Sequence, residues 1–195
     1  MTKRWIAIAA AVLMLPIAAC NTSDIGSQNS PVALVVTNTQ KLSTLDLLGG
    51  NGCDQTAGTI NLESFIKNPS AVGDKETIIR NPELNNIRVT RYRVSYQRID
   101  GGTLVPAPFV FPIDILLKPG ASANDNLFTI FQADAFTQAP FAALISGSGR
   151  DPETNRQVIT MEVIVEVFGE TLAGESVSGS TRFPLEFCAN CGGCS

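Results

Sequence analysis

Apolar and polar side chains alternate along most of the chain after residue 31. The alternation is longest in four segments, residues 90–98, 109–117, 158–168 and 177–187. Shorter or weaker candidates are residues 32–37, 59–66 and 127–131. A period of two, built from Val, Ile, Phe, Tyr and Thr, is typical of half-buried β-strands. The pattern therefore predicts about seven strands and little helix.

Turn-forming residues separate these segments. Gly169 and Gly174 bound a short connection between the last two long strands, which predicts a β-hairpin. Asp100-Gly101-Gly102 marks another turn. Residues 133–144 contain Pro140, and we expect them to hold a single helical turn in a crossover between sheets. Short strands with turn signals between them predict an all-β, antiparallel, two-sheet sandwich.

One strand resembles a known family of sandwiches. Residues 91–96, Arg-Tyr-Arg-Val-Ser-Tyr, are similar to the central strand C of immunoglobulin-like and fibronectin type III-like domains. The resemblance implies an immunoglobulin-like sandwich over residues 32–187. The disulfide and tryptophan of antibody domains are missing, because the only tryptophan is Trp5, near the amino terminus. The resemblance therefore implies an architecture and no particular function.

The amino terminus carries the parts of an export signal. Lys3 and Arg4 precede an apolar run over residues 6–19, which ends in small residues. That run is interrupted by Pro16 and is shorter than the roughly 20 apolar residues of a membrane-spanning helix. Residues 17–20, Ile-Ala-Ala-Cys, resemble the lipobox of bacterial lipoproteins. The alternative is an ordinary secretory signal with a chance cysteine.

The lipobox resemblance implies where this protein resides. Residues 1–19 would be a signal peptide that is cleaved off, and Cys20 would carry the lipid that holds the protein on a membrane. Asn21, rather than Asp, follows the cysteine, which in Gram-negative lipoproteins favours the outer membrane. Residues 20–31 are polar and predict a lipidated tether to the domain.

Charge and composition exclude several function classes. Without residues 1–19 the chain has 12 basic and 18 acidic side chains, a net charge of -6, and no long basic run. Such a chain lacks the cluster of basic residues with which nucleic-acid-binding proteins contact phosphates. The chain has no histidine, which excludes Ser-His-Asp and Cys-His nucleophiles. We therefore predict no catalytic residue, no cofactor and no nucleic-acid partner.

Four cysteines remain after Cys20 is set aside: Cys53, Cys188, Cys191 and Cys194. The last three lie in a cysteine-rich tail, residues 188–195. In an exported protein we expect disulfides, for which three pairings are possible. Four thiolates are also a candidate zinc or copper site, although the spacing of a zinc ribbon is missing, and we predict no metal. Cys188 and Cys191 are also a candidate redox pair, although redox pairs usually begin a helix.

Arginines are concentrated in one segment, at positions 88, 91, 93 and 98. Arg91 and Arg93 alternate on one strand face and are candidates for binding an anion or a partner. The alternative is a solvated ladder with Glu162 and Glu166 on a neighbouring strand. An empty concave pocket in front of the arginines would favour binding.

Two oxygen-rich loops, residues 124–126 and 151–155, are candidate calcium ligands. Neither follows the ligand order of an EF-hand, so we interpret them as turns.

These observations lead to two hypotheses. The first is a non-catalytic envelope lipoprotein whose partners are the membrane, through Cys20, and another envelope protein. It would use strand edges and loops, either to bind that protein or to stiffen an assembly, and this rests on analogy of fold. The alternative is a thiol-dependent metal-handling or redox lipoprotein that uses the terminal cysteines.

Overall fold

The computed structural model describes residues 30–39, 43–49, 57–67 and 81–191. These ranges contain eight strands: β1 Val32–Asn38, β2 Thr44–Asp46, β3 Ala57–Ile66, β4 Ile87–Arg98, β5 Phe109–Leu117, β6 Ser122–Thr129, β7 Val158–Thr171 and β8 Ser176–Cys188. They also contain two 3₁₀ turns, Pro82–Asn85 and Ala133–Thr137, and one short helix, α1 Phe141–Ser146. Strands make up 55% of these residues and helices 11%, which confirms the predicted all-β class.

The strands form two sheets. The first has the order β1-β3-β6, and the second has the order β2-β8-β7-β4-β5 and curls into a half-barrel. Neighbouring strands are antiparallel except for β2, which runs parallel to β8. Strand β2 was not predicted, because three residues are too few for an alternation to be recognised.

The β7–β8 hairpin confirms the prediction made from its glycines. The two strands pair from Val158 and Cys188 to Glu170 and Ser176, and Gly174 in the turn has a φ of 87°. Alternate side chains of β7 are fully buried, in the row Ile159, Met161, Val163, Val165 and Val167. This row forms the middle of the hydrophobic core.

Strand β6 differs from the prediction. The expected strand was 127–131, but β6 begins at Ser122 and ends at Thr129. Its first residues, Ser-Ala-Asn-Asp-Asn, have low β-propensity. They are extended because they pair with β3, where Leu62 faces Ala123 and Ile60 faces Asn126. Tertiary pairing therefore outweighs local propensity in this strand.

Two tyrosines of β4 connect the sheets through the core. The hydroxyl of Tyr92 accepts a hydrogen bond from the backbone N–H of Thr129 at 2.9 Å. The hydroxyl of Tyr96 donates to the carbonyl oxygen of Ile130 at 2.6 Å. Burial raises the pKa of Tyr96, so this hydroxyl keeps its proton and stays a donor. Both bonds fix the end of β6 against the middle of β4.

Gly179 allows β1 to approach β8 closely. A Cβ atom built on this glycine would lie 2.4 Å from the carbonyl oxygen of Leu34 and 2.9 Å from a methyl carbon of Val36. A side chain would therefore separate the edge of the three-stranded sheet from β8.

The domain makes ordered contacts from Ser30 onward. Ser30 is buried and its hydroxyl accepts the N–H of Val32, while the carbonyl of Pro31 accepts the N–H of Lys67. These contacts begin two residues before the predicted domain boundary at residue 32. The predicted signal peptide, most of the tether, and Cys20, Cys53 and Cys194 lie outside the described residues.

Candidate functional site

The predicted arginine face lies on the outer surface of the five-stranded sheet, where β4 runs between β5 and β7. Arg93 lies opposite Glu166 of β7, and its Nε donates to Oε2 at 2.6 Å. Both side chains are partly exposed, and exposed ion pairs contribute about 0.2 to 1 kcal/mol. Arg93 is therefore one rung of the charged ladder expected from the sequence.

The other predicted rung has a different arrangement. Glu162 lies opposite Gln97 rather than Arg91, and it contacts Arg182 of β8, with Nη1 and Oε2 3.5 Å apart. The ladder therefore extends from β7 toward β8 and leaves Arg91 out.

Arg88 is paired with a residue of β5, the other neighbour of β4. Its Nε donates to Oδ1 of Asp114 on β5 at 3.0 Å, with both side chains exposed. This hydrogen bond and the charge of Asp114 raise the pKa of Arg88.

Arg91 has a different environment. Its guanidinium carbon lies 5.0 Å from the ring centroid of Phe168, and it forms no ion pair with any residue that the structure describes. It lines a depression with a volume of about 400 Å³, which we call the Arg91 pocket. The pocket is lined by Thr90, Arg91, Phe168, Gly169, Glu170, Ser176, Val177 and Ser178.

Arg98, the fourth arginine, points into the protein. Its side chain is only 1% exposed. Its Nε and Nη2 donate to the two carboxylate oxygens of Asp100 at 2.7 and 2.9 Å, and Nη2 also donates to Oδ2 of Asp151 at 2.8 Å. Both carboxylates are almost fully buried. We call Arg98, Asp100 and Asp151 the buried charge cluster.

Hydrogen bonds keep the carboxylates of the buried charge cluster ionised. Burial acts to raise the pKa of Asp151, but donors on Arg98 and Thr154 outweigh it and hold the value at about 2. Burial acts in the same direction on Asp100, and donation by Arg98 and by the N–H groups of Thr160 and Gly102 lowers its pKa overall.

The cluster joins two loops of the chain, residues 99–108 between β4 and β5 and residues 147–157 between α1 and β7. Glu153 accepts hydrogen bonds from the N–H groups of Thr103 and Leu104, each at 2.8 Å, and approaches Arg98 Nη1 at 3.5 Å. Hydrogen bonding to Thr103 is the main reason why the pKa of Glu153 is lowered. The oxygen-rich segment 151–155 therefore closes a turn over the arginine.

One carboxylate oxygen of the cluster, Oδ1 of Asp151, is buried and forms no hydrogen bond with any residue that the structure describes. In the part of the chain that the structure describes, no group of three or more Asp, Glu, Cys or His side chains is arranged to hold a metal ion.

Cys188, the last residue of β8, forms a disulfide with Cys191, with Cα atoms 6.0 Å apart. This is one of the bonds that the cysteine count predicted. Asp46, at the end of β2, is 2% exposed and accepts the N–H groups of Asn190 at 2.9 Å and of Cys191 at 3.0 Å. The parallel pairing of β2 with β8 brings Asp46 opposite Cys188.

This environment bears on the redox and metal alternatives. A reactive thiolate is stabilised by positive charge or by free backbone N–H groups. Here the N–H groups of residues 190 and 191 already bind the carboxylate of Asp46 and are not available to a thiolate. With both sulfurs in a disulfide, neither is a thiolate ligand for a metal.

Strand β5 forms an edge of the five-stranded sheet. It pairs with β4, and no other described strand pairs with it. Exposed apolar side chains lie on both of its faces: Val110 is 54% exposed, Phe111 45% and Leu116 57%. An edge strand with exposed apolar side chains is open to pairing with a strand of another chain.

The sequence pattern indicates that Arg98 is buried, but it indicates little about Asp46. Arg98 has the same parity as Tyr92, Val94 and Tyr96, so strict alternation places it on the buried face. Asp46 is the last residue of a three-residue strand, and only tertiary contacts reveal its role.

Comparisons with known proteins do not extend these observations. No family model, no curated protein and no solved structure matches the chain. Among the residues described, helices are too short or too polar to cross a membrane.

Proposed function

We propose that this protein is a lipid-anchored envelope protein whose non-catalytic β domain binds another envelope protein through the edge strand β5. The anchor part rests on the amino-terminal signal and on Cys20. The binding part rests on one observation, the exposed apolar edge strand β5.

The occupant of this edge is an extended strand of the partner. An edge strand presents a row of backbone N–H and C=O groups that only another extended backbone can satisfy continuously. The side chains beside that row are apolar at Val110 and Leu116 on one face and at Phe111 on the other. A partner strand with alternating apolar residues therefore gains backbone hydrogen bonds and apolar burial together.

Pro112 and Asp114 restrict which strands can pair. Pro112 lacks a backbone N–H, and Asp114 keeps a charge on the outer face, where Arg88 holds it. Both residues oppose indiscriminate aggregation of an apolar edge. They favour a partner strand that has no backbone carbonyl in need of a hydrogen bond opposite Pro112.

An immunoglobulin-like sandwich is the architecture that we propose for the domain. Support comes from the interior position of β4, between β7 and β5, and from its tyrosines, which contact the end of β6 and the residue after it in the other sheet. The parallel β2–β8 pair and the curl of the larger sheet would be additions to that architecture. In this proposal the terminal disulfide has a structural role, as its contact with Asp46 suggests.

Position-specific crosslinking in cells tests the edge. A photoreactive phenylalanine analogue replaces Val110 or Leu116, with Gln97 and Ser180 as exposed control positions on β4 and β8. We expect one adduct of the same mass from both β5 positions and none from the controls. Adding Leu116→Lys to the Val110 probe should reduce the adduct severalfold, because a charge blocks apolar pairing. Equal adducts from all four positions, or none from β5, would overturn edge binding.

A separate experiment tests the anchor. The Cys20→Ser variant should show no lipid by mass spectrometry and should be lost from the outer-membrane fraction. The wild-type protein should carry lipid and remain in that fraction. A Cys20→Ser protein that remains in the outer membrane as fully as wild type would contradict lipid anchoring.

A further inference from the structure

The Arg91 pocket combines side chains of three adjacent strands on the outer face of the five-stranded sheet. It is about 400 Å³ in volume, within the usual size range of small-ligand sites. The side chains that matter here are Arg91 and Thr90 from β4, Phe168 and Glu170 from β7, and Ser178 from β8.

A defect in the β4–β7 ladder creates the depression. The register shifts between Val89 and Arg91, so Thr90 is the extra residue of a β-bulge. Opposite the bulge, Gly169 allows close approach, since a Cβ atom there would lie 2.6 Å from the carbonyl oxygen of Arg88. Bulges redirect side chains, and this one brings Arg88 onto the same outer face as Arg91, although an odd number of positions separates the two residues.

Arg91 is the arginine of β4 that no carboxylate of the described residues neutralises. Arg88 is paired with Asp114, Arg93 with Glu166, and Arg98 with Asp100 and Asp151. The ring of Phe168 lies under the Arg91 guanidinium at 5.0 Å. A cation–π contact of this kind restrains the guanidinium and leaves its N–H donors available. The donors are thus ordered in advance of any ligand.

The groups around Arg91 indicate the class of ligand. A guanidinium fork matches a planar carboxylate through two parallel hydrogen bonds. The hydroxyls of Thr90 and Ser178 form no hydrogen bond with any described group, so each can both donate and accept. The carboxylate of Glu170 lies opposite Arg88 and attracts its charge, but it forms no hydrogen bond with any described group. It can accept hydrogen bonds from ligand hydroxyls, and it repels a second negative charge.

We propose that the Arg91 pocket binds a single acidic sugar unit, a uronic acid. Arg91 holds the carboxylate, and Ser178, Thr90 and Glu170 bind the ring hydroxyls. A sugar unit has one negative charge and several hydroxyls, which is the combination that these side chains complement. The site uses residues outside β5, so its occupancy is independent of the edge-strand proposal.

Titration calorimetry on the full mature chain in detergent tests this site with three probes. Sodium glucuronate carries both the carboxylate and the hydroxyls, glucose lacks the carboxylate, and acetate lacks the hydroxyls. We expect saturable binding of glucuronate, with glucose and acetate each at least about tenfold weaker, because each lacks one set of charge-assisted or neutral hydrogen bonds.

Matched variants locate the binding. Arg91→Gln should weaken glucuronate binding about tenfold to a hundredfold. Arg93→Gln, which removes the neighbouring paired arginine, should leave it within about twofold. Ser178→Ala should weaken glucuronate and leave acetate unchanged.

Several results would overturn the proposal. One is the absence of saturable glucuronate binding, and another is equal binding by wild type and Arg91→Gln. Acetate that binds as tightly as glucuronate would also overturn it, and would assign the pocket to carboxylates of peptides. Circular dichroism of each variant verifies the fold, because the three substituted side chains are exposed on the sheet surface.

Discussion

The guanidinium of Arg98 holds the carboxylate of Asp151 inside the protein, with Nη2 and Oδ2 2.8 Å apart and both side chains at most 1% exposed. The arginine lies at the end of β4 and the aspartate lies in the loop before β7. Their contact joins segments that are far apart in the sequence. The same guanidinium also binds Asp100, so the charge of Arg98 compensates two buried carboxylates.

Replacing Arg98 should destabilise the protein strongly. Arg98→Met keeps an apolar stem but leaves the carboxylates of Asp100 and Asp151 buried without compensation, which typically costs about 3 to 5 kcal/mol. Urea unfolding measures this loss. Arg93→Met is the matched control, since its partner Glu166 is partly exposed, and it should cost less than about 1 kcal/mol. Equal losses in the two variants would contradict the role of the buried charge cluster.

Acid should remove the contribution of Asp151 in a defined pH range. Its pKa is about 2 in the folded protein and about 3.9 in an unfolded chain. A lowered folded-state pKa stabilises the protein fully above the unfolded value, and the contribution disappears as the pH falls through the folded value. The free energy of unfolding should therefore fall by about 2 kcal/mol between pH 5 and pH 2 because of this group.

The Asp151→Asn variant provides the control for this pH dependence. It lacks the titrating carboxylate, so its unfolding free energy should decline less over the same range. If its pH profile matches that of wild type in slope, Asp151 is not the responsible group.

Gly179→Ala should destabilise the contact between the sheets. The new methyl group would lie 2.4 Å from the carbonyl oxygen of Leu34, which is backbone and cannot rotate away. Overpacking of this kind costs about 1 to 3 kcal/mol. Thermal and urea unfolding measure it, with Ser180→Ala at the next, exposed position as the control. A Gly179→Ala protein as stable as wild type would show that β1 and β8 have room between them.

Removing the terminal disulfide should reduce stability without changing metal content. In the chain-entropy model, closing so short a loop contributes about 2 kcal/mol, so the double variant Cys188→Ala, Cys191→Ala should lose about that amount. Peptide mapping without reductant identifies the bond in wild type, and elemental analysis measures metal in both proteins. Unchanged stability together with loss of bound metal would favour the thiol-dependent alternative.

Local pattern predicted the strands well where one face is buried along a whole strand. The row from Ile159 to Val167 has a period of two in the sequence and is buried throughout. The pattern could not reveal the bulge at Thr90, which shifts the strand by one residue and reverses the parity of Arg88 relative to Arg93. A one-residue shift moves a side chain to the other face, and only pairing with a second strand determines where it occurs.

The sequence by itself determined the all-β class, the positions of the long strands, the β7–β8 hairpin and the expectation of a disulfide. These features follow from the side chains of neighbouring residues, because alternation, turn glycines and cysteine spacing are local. Tertiary structure alone decided that β2 runs beside β8 and brings Asp46 to the disulfide. It also decided that four arginines of one strand have four different environments. Each environment depends on a partner brought close by the fold, and an isolated strand carries no information about its neighbours.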